Sequence, residues 1–431
     1  MNNYTFIKNE NGEEFFDLTV QQKFMLSDDE TNKGYVDRCA GTFNVPVPIR
    51  LFGKLDLKRF EESISKTLEY YDSLRIICYN VDGEYKQKFI EKLDFKLEVT
   101  DAVGDSQEER EKYVFENVMK FVNSPINTET NMGKILWKYV LYKINEEDYV
   151  FVFMMHHSVS DGTSQQLFGH TLLNFYAGKD NGDPKSYINY LKYDLDFKNS
   201  ERGKAQIEYW HKELEGYKNI DLNTIAPVGQ EEAKHITFET DMSLMDSVAE
   251  KTGASRLVVY MAAYHIALSK VLKNPDVVVG LSCANRTRIQ FLKTVGYFSR
   301  AAQNRVILNE NMKYTELIDI LKDKISKNVE AQQTADLNDQ GQFMISYGAY
   351  KVVTGRQKLT DDIECEILQA NPERAFRFFI ICAYEFPDHV LSDLHGNPNV
   401  FSIKFQEALA SEIQKAIEDM NNDVNGTVGT I

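Results

Sequence analysis

What the chain lacks narrows it first. No two of its five cysteines (Cys39, Cys78, Cys283, Cys365, Cys382) form a CxxC pair, and their number is odd. A disulfide framework is therefore not expected, and a reduced, cytoplasmic setting fits. No apolar run approaches the ~20 residues of a membrane helix; the longest, around Tyr149–Met155 and Phe376–Ala383, are strand-sized. The opening stretch MNNYTFIKNENGEE is too polar for a signal peptide. Positive charge is scarce, with 49 Lys and Arg against 65 Asp and Glu and a net charge of −16. That disfavours nucleic-acid or anionic-membrane binding, which needs clustered cations. The sequence contains no GxxxxGK[ST], no GxGxxG and no GxSxG, so phosphate-loop, dinucleotide and serine-hydrolase readings lose their usual signatures.

What is present is globular and of mixed class. The 431 residues include 43% apolar and 12% aromatic side chains, enough for a sizeable core. Leu57, Phe60, Ile64 and Leu68 recur at helical spacing after the extended run Val45–Phe52. Leu74–Asn80 and Tyr85–Ile90 flank the turn signal Val81-Asp82-Gly83-Glu84, which predicts a hairpin. Ser106–Phe121 reads as an amphipathic helix. Ile135–Ile144 and Asp148–Met155 read as a strand pair. A helix is expected from about Ser164, as N-cap, to Tyr176. Ala177–Tyr187 concentrates Gly, Asp, Asn and a Pro, a boundary signal. The second half repeats the alternation: a helix at Leu257–Leu272, strands at Asp276–Cys283 and near Phe343–Tyr347, Phe376–Tyr384 and Val400–Phe405, and a helix at Ala408–Met420. The expected division is an N-terminal lobe over 1–180, a linker over 181–204 and a C-terminal lobe over 205–431, with the site in the cleft between lobes.

The chemistry concentrates in His156-His157-Ser158-Val159-Ser160-Asp161-Gly162, at the end of an apolar run. Neighbouring strand residues point to opposite faces, so one histidine is expected in the cleft and the other in a core. An imidazole with a pKa near 6.5 is largely neutral at pH 7 and can accept a proton. Asp161 could fix the loop by pairing with an arginine, and Gly162 could adopt a backbone geometry that a Cβ resists. A buried His pair beside an ordinary Asp-Gly turn is the bland alternative. An HHxxxDG string arises by chance on the order of once per thousand chains of this length. A metal site is disfavoured by the opposite faces, and no second cluster has ligand spacing.

The neighbouring blocks extend the pattern. Leu18-Thr19-Val20-Gln21-Gln22, LFGKLDLKRFEESISKTLEYYDSLRI (Leu51–Ile76), AQIEYWHKEL, VVVGLSCANRT (Val277–Thr287) and TVGYF (Thr294–Phe298) occur in that order. With HHxxxDG, the chain resembles the condensation-domain and chloramphenicol acetyltransferase-like acyltransferase superfamily, over nearly its whole length. Tyr71 stands where that family commonly has His. The resemblance implies an α/β fold of two chloramphenicol-acetyltransferase-like lobes, each a sheet flanked by helices, in a V with a central tunnel. It implies an acyl transferase acting alone as a monomer, in which a thioester of coenzyme A or of a carrier protein donates to an alcohol or amine. No tightly bound cofactor is expected.

By the same resemblance His157 would be the catalytic residue and His156 largely structural. Asp161 would pair with an arginine, for which Arg75 and Arg286 are the candidates, and the Gly162 amide would help hold a developing oxyanion. Arg288 and Lys293 could meet a phosphopantetheine or coenzyme A phosphate; a solvated basic loop is the alternative. The absence of DFGWG argues against the plant-type branch, and the absence of a Glu-Gly-His segment against the epimerase branch. No adenylation core and no GGxS carrier segment is present. A condensation-like protein that only binds a carrier-loaded intermediate is the alternative function. His170, His211, His235, His265 and His395 show no partner pattern and are expected to be structural or exposed.

Overall fold

The fold is that of a computed structural model, which describes residues 7–8, 14–19, 21–23, 25, 42–81, 84–126, 135–229, 231, 235–335, 341–348, 355–372, 374, 376 and 378–431. In chain order the strands are β1 Ile7–Lys8, β2 Glu14–Asp17, β3 Asn44–Phe52, β4 Ile76–Val81, β5 Glu84–Phe89, β6 Thr100–Asp101, β7 Trp137–Asn145, β8 Asp148–His156, β9 Ile236–Asp241, β10 Asp276–Cys283, β11 Arg300–Ile307, β12 Phe343–Tyr347, β13 Gln357–Lys358, β14 Glu364–Ile367, β15 Phe379–Glu385 and β16 His389–His395. The helices are α1 Leu57–Tyr70, α2 Gln107–Asn123, α3 Gly162–Tyr176, α4 Tyr187–Asn199, α5 Glu201–Glu213, α6 Met242–Thr252, α7 Arg256–Leu272, α8 Tyr314–Glu330 and α9 Ile403–Asn422.

The chain forms two compact units, and neither is contiguous. One takes 1–196, 286–298 and 353–374; the other takes 197–285, 299–352 and 375–431. The expected split into 1–180 and 205–431 therefore differs from this division, because two stretches of the second half pack with the first. The expected linker is also helical, since α4 and α5 run through it.

In the first unit a six-stranded sheet has the order β13-β14-β3-β8-β7-β6, and a smaller one has the order β1-β2-β5-β4. Every residue of β8 is buried, and alternation divides them. Phe151, Phe153 and Met155 pack with Phe60, Ile64 and Leu68 of α1 and with Phe168 and Leu172 of α3. Val150, Val152 and Met154 pack with Val114, Val118 and Val122 of α2. Helices on both faces explain the unbroken apolar run. Such burial is worth about 1.5–3 kcal/mol per large side chain. Pro46 and Pro48 lie inside β3, yet β3 pairs with β14 only from Ile49 to Phe52, so the missing N–H groups interrupt no ladder there. The predicted hairpin forms from β4 and β5; Asp82 and Gly83 of its turn lie outside the described residues.

In the second unit the sheet order is β11-β10-β12-β15-β16-β9. Val279, Leu281, Phe343, Ile345, Phe379 and Ile381 pack on one face with residues of α6, α7, α8 and α9. The strand expected near Val400–Phe405 is not one. Ser402 caps α9 by accepting from Phe405 N, so that segment opens a helix.

Candidate active site

The HHSVSDG stretch leaves β8 and enters α3. His156 ends the strand opposite Asn44, and His157 opens a short 3-10 turn, so the two are not successive strand residues as expected. The reading still separates them by burial. His156 is buried, whereas His157 is part-exposed. His156 Nδ1 accepts from Ser158 N at 3.1 Å, with Ser158 Oγ at 2.7 Å. A backbone N–H can only donate, so Nδ1 is the acceptor and the proton sits on Nε2. Ser160 Oγ donates to the His156 carbonyl at 3.0 Å. His157 N donates to the Phe43 carbonyl at 2.8 Å. His156 thus ties the turn together, and His157 is presented from it.

Asp161 holds the loop more firmly. It is the N-cap of α3, accepting from Ser164 N and Ser164 Oγ, each at 2.8 Å. Its two oxygens also accept a fork from Arg286 at 2.8 and 2.9 Å, and Phe298 N donates to Oδ2 at 3.1 Å. Both side chains of this pair are buried, Asp161 at 1% and Arg286 at 4% exposure. Burial by itself would raise the Asp161 carboxyl, but Arg286 and the Ser164 donors more than offset it and hold the group below its ordinary value. The Arg286 guanidinium also lies over the Phe298 ring at 4.2 Å.

Ser164 is therefore not the cap but a buried third residue of α3. Its hydroxyl oxygen accepts from Gly296 N at 3.0 Å and lies 2.8 Å from the Gly296 carbonyl, which competes with Asp161 for its one proton. This staples TVGYF onto the motif. Gly296 is required at this point: a Cβ would stand 2.1 Å from the Tyr187 ring. Tyr187 in turn donates to the Tyr297 carbonyl at 2.9 Å. Tyr297 meets the His157 ring edge-on, with centroids 5.3 Å apart. Asn285, in the left-handed region at φ 48°, turns the chain out of β10 into this segment.

His157 has an unusual electrostatic setting. Burial, with the positive charge of Arg374, pushes its imidazole down to about 4, against an opposing pull from Asp161. Nδ1 is buried with no hydrogen-bond partner among the described residues. The ring is therefore neutral at pH 7, in a loop fixed from behind.

Of the two arginine candidates, Arg286 pairs with Asp161 and Arg75 does not. Arg75 donates to the carbonyls of Leu68, Glu69 and Ile90 at 2.8, 2.6 and 3.1 Å. Those at the end of α1 are the unpaired carbonyls that a cation satisfies. Gly162 takes ordinary helical backbone as the first residue of α3 and is not among the glycines at positive φ. Its amide belongs to the first turn, where N–H groups have no partner within the helix. Arg288 is exposed and donates to Tyr193 Oη at 3.0 Å, over whose ring it lies; Lys293 is exposed. Tyr71, in the family's His position, is buried with its hydroxyl 2.7 Å from Thr171 Oγ1.

Reading the residues alone missed Ser164 as a staple, although its position three residues after Asp161 is the N-cap pattern. It also missed Tyr297 and Arg374. His235 and His395, expected to be without partners, both contact Asp393, at 2.7 and 3.2 Å. Among the described residues no group of three or more His, Cys, Asp or Glu side chains is placed to hold a metal ion, and no helix is long and apolar enough to cross a membrane.

The condensation-domain family model matches residues 36–340. The chain belongs to the condensation-domain family. It is 26% identical over 306 residues to surfactin synthase subunit 2 of Bacillus subtilis (strain 168), covering 69% of this chain and 8% of that protein. It is 28% identical over 265 residues to bacitracin synthase 1 of Bacillus licheniformis, covering 59% of this chain and 5% of that protein. The chain thus spans a small fraction of the length of these relatives. Among solved structures, it resembles the SgcC5 protein of Streptomyces globisporus with a TM-score of 0.73 at 17% identity, over 95% of this chain and 100% of that one. It resembles the X-domain from teicoplanin biosynthesis with a TM-score of 0.78 at 15% identity, over 96% and 97%. The expected mixed α/β condensation-domain fold, with sheets flanked by helices, is what the chain has, and its two larger sheets each have six strands.

Proposed function

We propose that this domain transfers an acyl group from a thioester to an amine or alcohol. The observation that supports this best is His157: a neutral imidazole with its Nδ1 buried, on a loop locked by the Asp161–Arg286 pair. Nε2 is then the nitrogen offered to the acceptor. An imidazole held near 4 is a weak base, because general-base catalysis works best with a pKa close to the working pH. Its role is to accept a hydrogen bond from the acceptor N–H or O–H and align the lone pair with the thioester carbonyl. As the new bond forms, the attacking atom becomes cationic and its proton more acidic, so even this imidazole can receive it. The carbonyl oxygen turns negative, and first-turn amides of α3, Gly162 included, are donors suited to it. Collapse breaks the carbon–sulfur bond and releases the donor thiol. No covalent acyl-His157 is needed.

Donors of one chemistry come from two sources, coenzyme A and a carrier protein. Condensation domains work with carrier-bound thioesters, which favours the second. The test is thioester consumption with carrier-bound and coenzyme A donors against an acceptor panel. His157→Ala is expected to lower turnover by at least ~100-fold; an unchanged rate would refute the assignment. The low basicity of His157 also suits a second reading, a domain that holds a carrier-loaded intermediate without turning it over. Carrier binding that survives His157→Ala, with no turnover on any acceptor, would select it.

A further inference from the structure

His156 ties the near end of the HHSVSDG turn, and the Asp161–Arg286 pair ties its far end. The middle is held by a residue far away in the chain. Gln22 Nε2 donates to the Ser158 carbonyl at 2.9 Å, although 136 positions separate the two residues. Gln22, Gln87 and Ser158 are all fully buried.

Every polar site of the Gln22 carboxamide is engaged. Its Oε1 accepts from Thr19 N at 2.9 Å, and Gln22 N donates to Thr19 Oγ1 at 3.1 Å. Thr19 and Gln22 thus make the reciprocal bonds of a capping box, three residues apart. Lys23 N donates to the Thr19 carbonyl at 3.0 Å, as in a first helical turn. Gln87 of β5 then pairs with Gln22 amide to amide. Gln22 Nε2 donates to Gln87 Oε1 at 3.2 Å, and Gln87 Nε2 donates to Gln22 Oε1 at 3.1 Å. Gln87 Nε2 also donates to the Asp17 carbonyl at 3.1 Å, and the β2–β5 ladder sets Gln87 opposite Phe16. Thr19 N can only donate and the Ser158 carbonyl can only accept, so the Gln22 carboxamide has a single orientation. The small sheet therefore braces Gln22, and Gln22 braces the turn.

We propose that Gln22 is a positioning residue for His157: its bond to the Ser158 carbonyl sets the turn from which the imidazole is presented.

Two physical reasons give this bond weight. A buried carbonyl that loses its donor bears the full cost of desolvation, so without Gln22 the turn gains by rearranging. The Ser158 carbonyl is only one residue beyond His157, and a displacement of ~1 Å at a reacting group costs about 100-fold in rate. A role in turnover rests on the proposed function; the hold on the turn does not.

The test compares Gln22→Met, which keeps the shape and loses the amide, with Gln87→Met, which leaves Gln22 within reach of Ser158. In Gln22→Met, kcat for thioester consumption is expected to fall about 10–100-fold, with KM changed less than about twofold, because alignment is lost and binding is not. The amides of His157 and Ser160 donate to the Phe43 and His157 carbonyls. Their hydrogen exchange in Gln22→Met is expected to be about tenfold faster, while amides of α3 from Gln165 onward keep their wild-type rates. Gln87→Met is expected to act in the same sense but less strongly, and it carries the test if Gln22→Met does not fold. Exchange needs no turnover, so a wild type that consumes no thioester would refute the proposed function and leave the exchange result standing. Unchanged exchange at His157 and Ser160, equally faster exchange throughout the first unit, or a greater loss of turnover in Gln87→Met than in Gln22→Met would overturn the proposal.

Discussion

His157 and His395 are both part-buried imidazoles, and they are displaced in opposite directions, to about 4 and about 9. Burial lowers both. The difference is the neighbour: His157 stands near the Arg374 guanidinium, whereas His395 bonds to the Asp393 carboxylate. One site holds a neutral ring suited to accepting a hydrogen bond. The other holds a cation suited to steadying negative charge. Burial is the largest cause at His157, and at His395 the adjacent carboxylate reverses it.

The contrast also gives opposite pH dependences of stability. His157 titrates lower in the folded chain than its ordinary 6.5. Its contribution is present above 6.5 and is lost as pH falls through about 4, because the unfolded chain binds the proton more readily. His395 titrates higher, so its contribution is complete below 6.5 and is lost as pH rises through about 9.

The largest expected effect separates the two regions by the pairs that support them. Arg286→Ala leaves the Asp161 carboxylate buried and unpaired, which costs about 3–5 kcal/mol. Urea unfolding at pH 7 checks it, and a loss below about 1 kcal/mol would mean that the fork does not hold the loop. Next, Asp393→Asn removes the charge that raises His395. Its ring proton signals, followed by NMR, are expected to titrate below 6.5 rather than near 9, with the alkaline loss of stability gone. A midpoint that stays near 9 would mean that Asp393 is not the cause. The smallest effect is Arg75→Ala. Losing one cation at the end of α1 is expected to cost about 0.3–1 kcal/mol in urea unfolding and to leave turnover unchanged. A loss as large as that from Arg286→Ala would erase the distinction between a helix cap and the site's ion pair.

How much of this could be read from residues alone differs between the regions. HHSVSDG is a local string that marks the histidine pair and Asp161; only the resemblance carried with its neighbouring blocks singled out His157 and offered Arg75 and Arg286 for the ion pair. The fold class also followed from local periodicity, as at β8, whose buried faces write an unbroken apolar run. Arg75 was equally plausible on paper, because a sequence does not say which carbonyls or carboxylates a guanidinium reaches. Arg374 is out of reach for a similar reason: it lies over two hundred residues from His157, and only the packing of 353–374 with the first unit joins them. Val400–Phe405 misled because a short apolar run fits either element; the Ser402 cap decides it.

The claim on which most rests is that His157 enters the reaction as a neutral imidazole. The direct measurement is kcat/KM for thioester consumption by the wild type between pH 4 and 8. The expected profile has no inflection near 6.5 and falls only as pH approaches about 4, where the ring gains its proton. A low-pH limb centred near 6.5 would contradict it, as would a profile that His157→Ala reproduces at full rate.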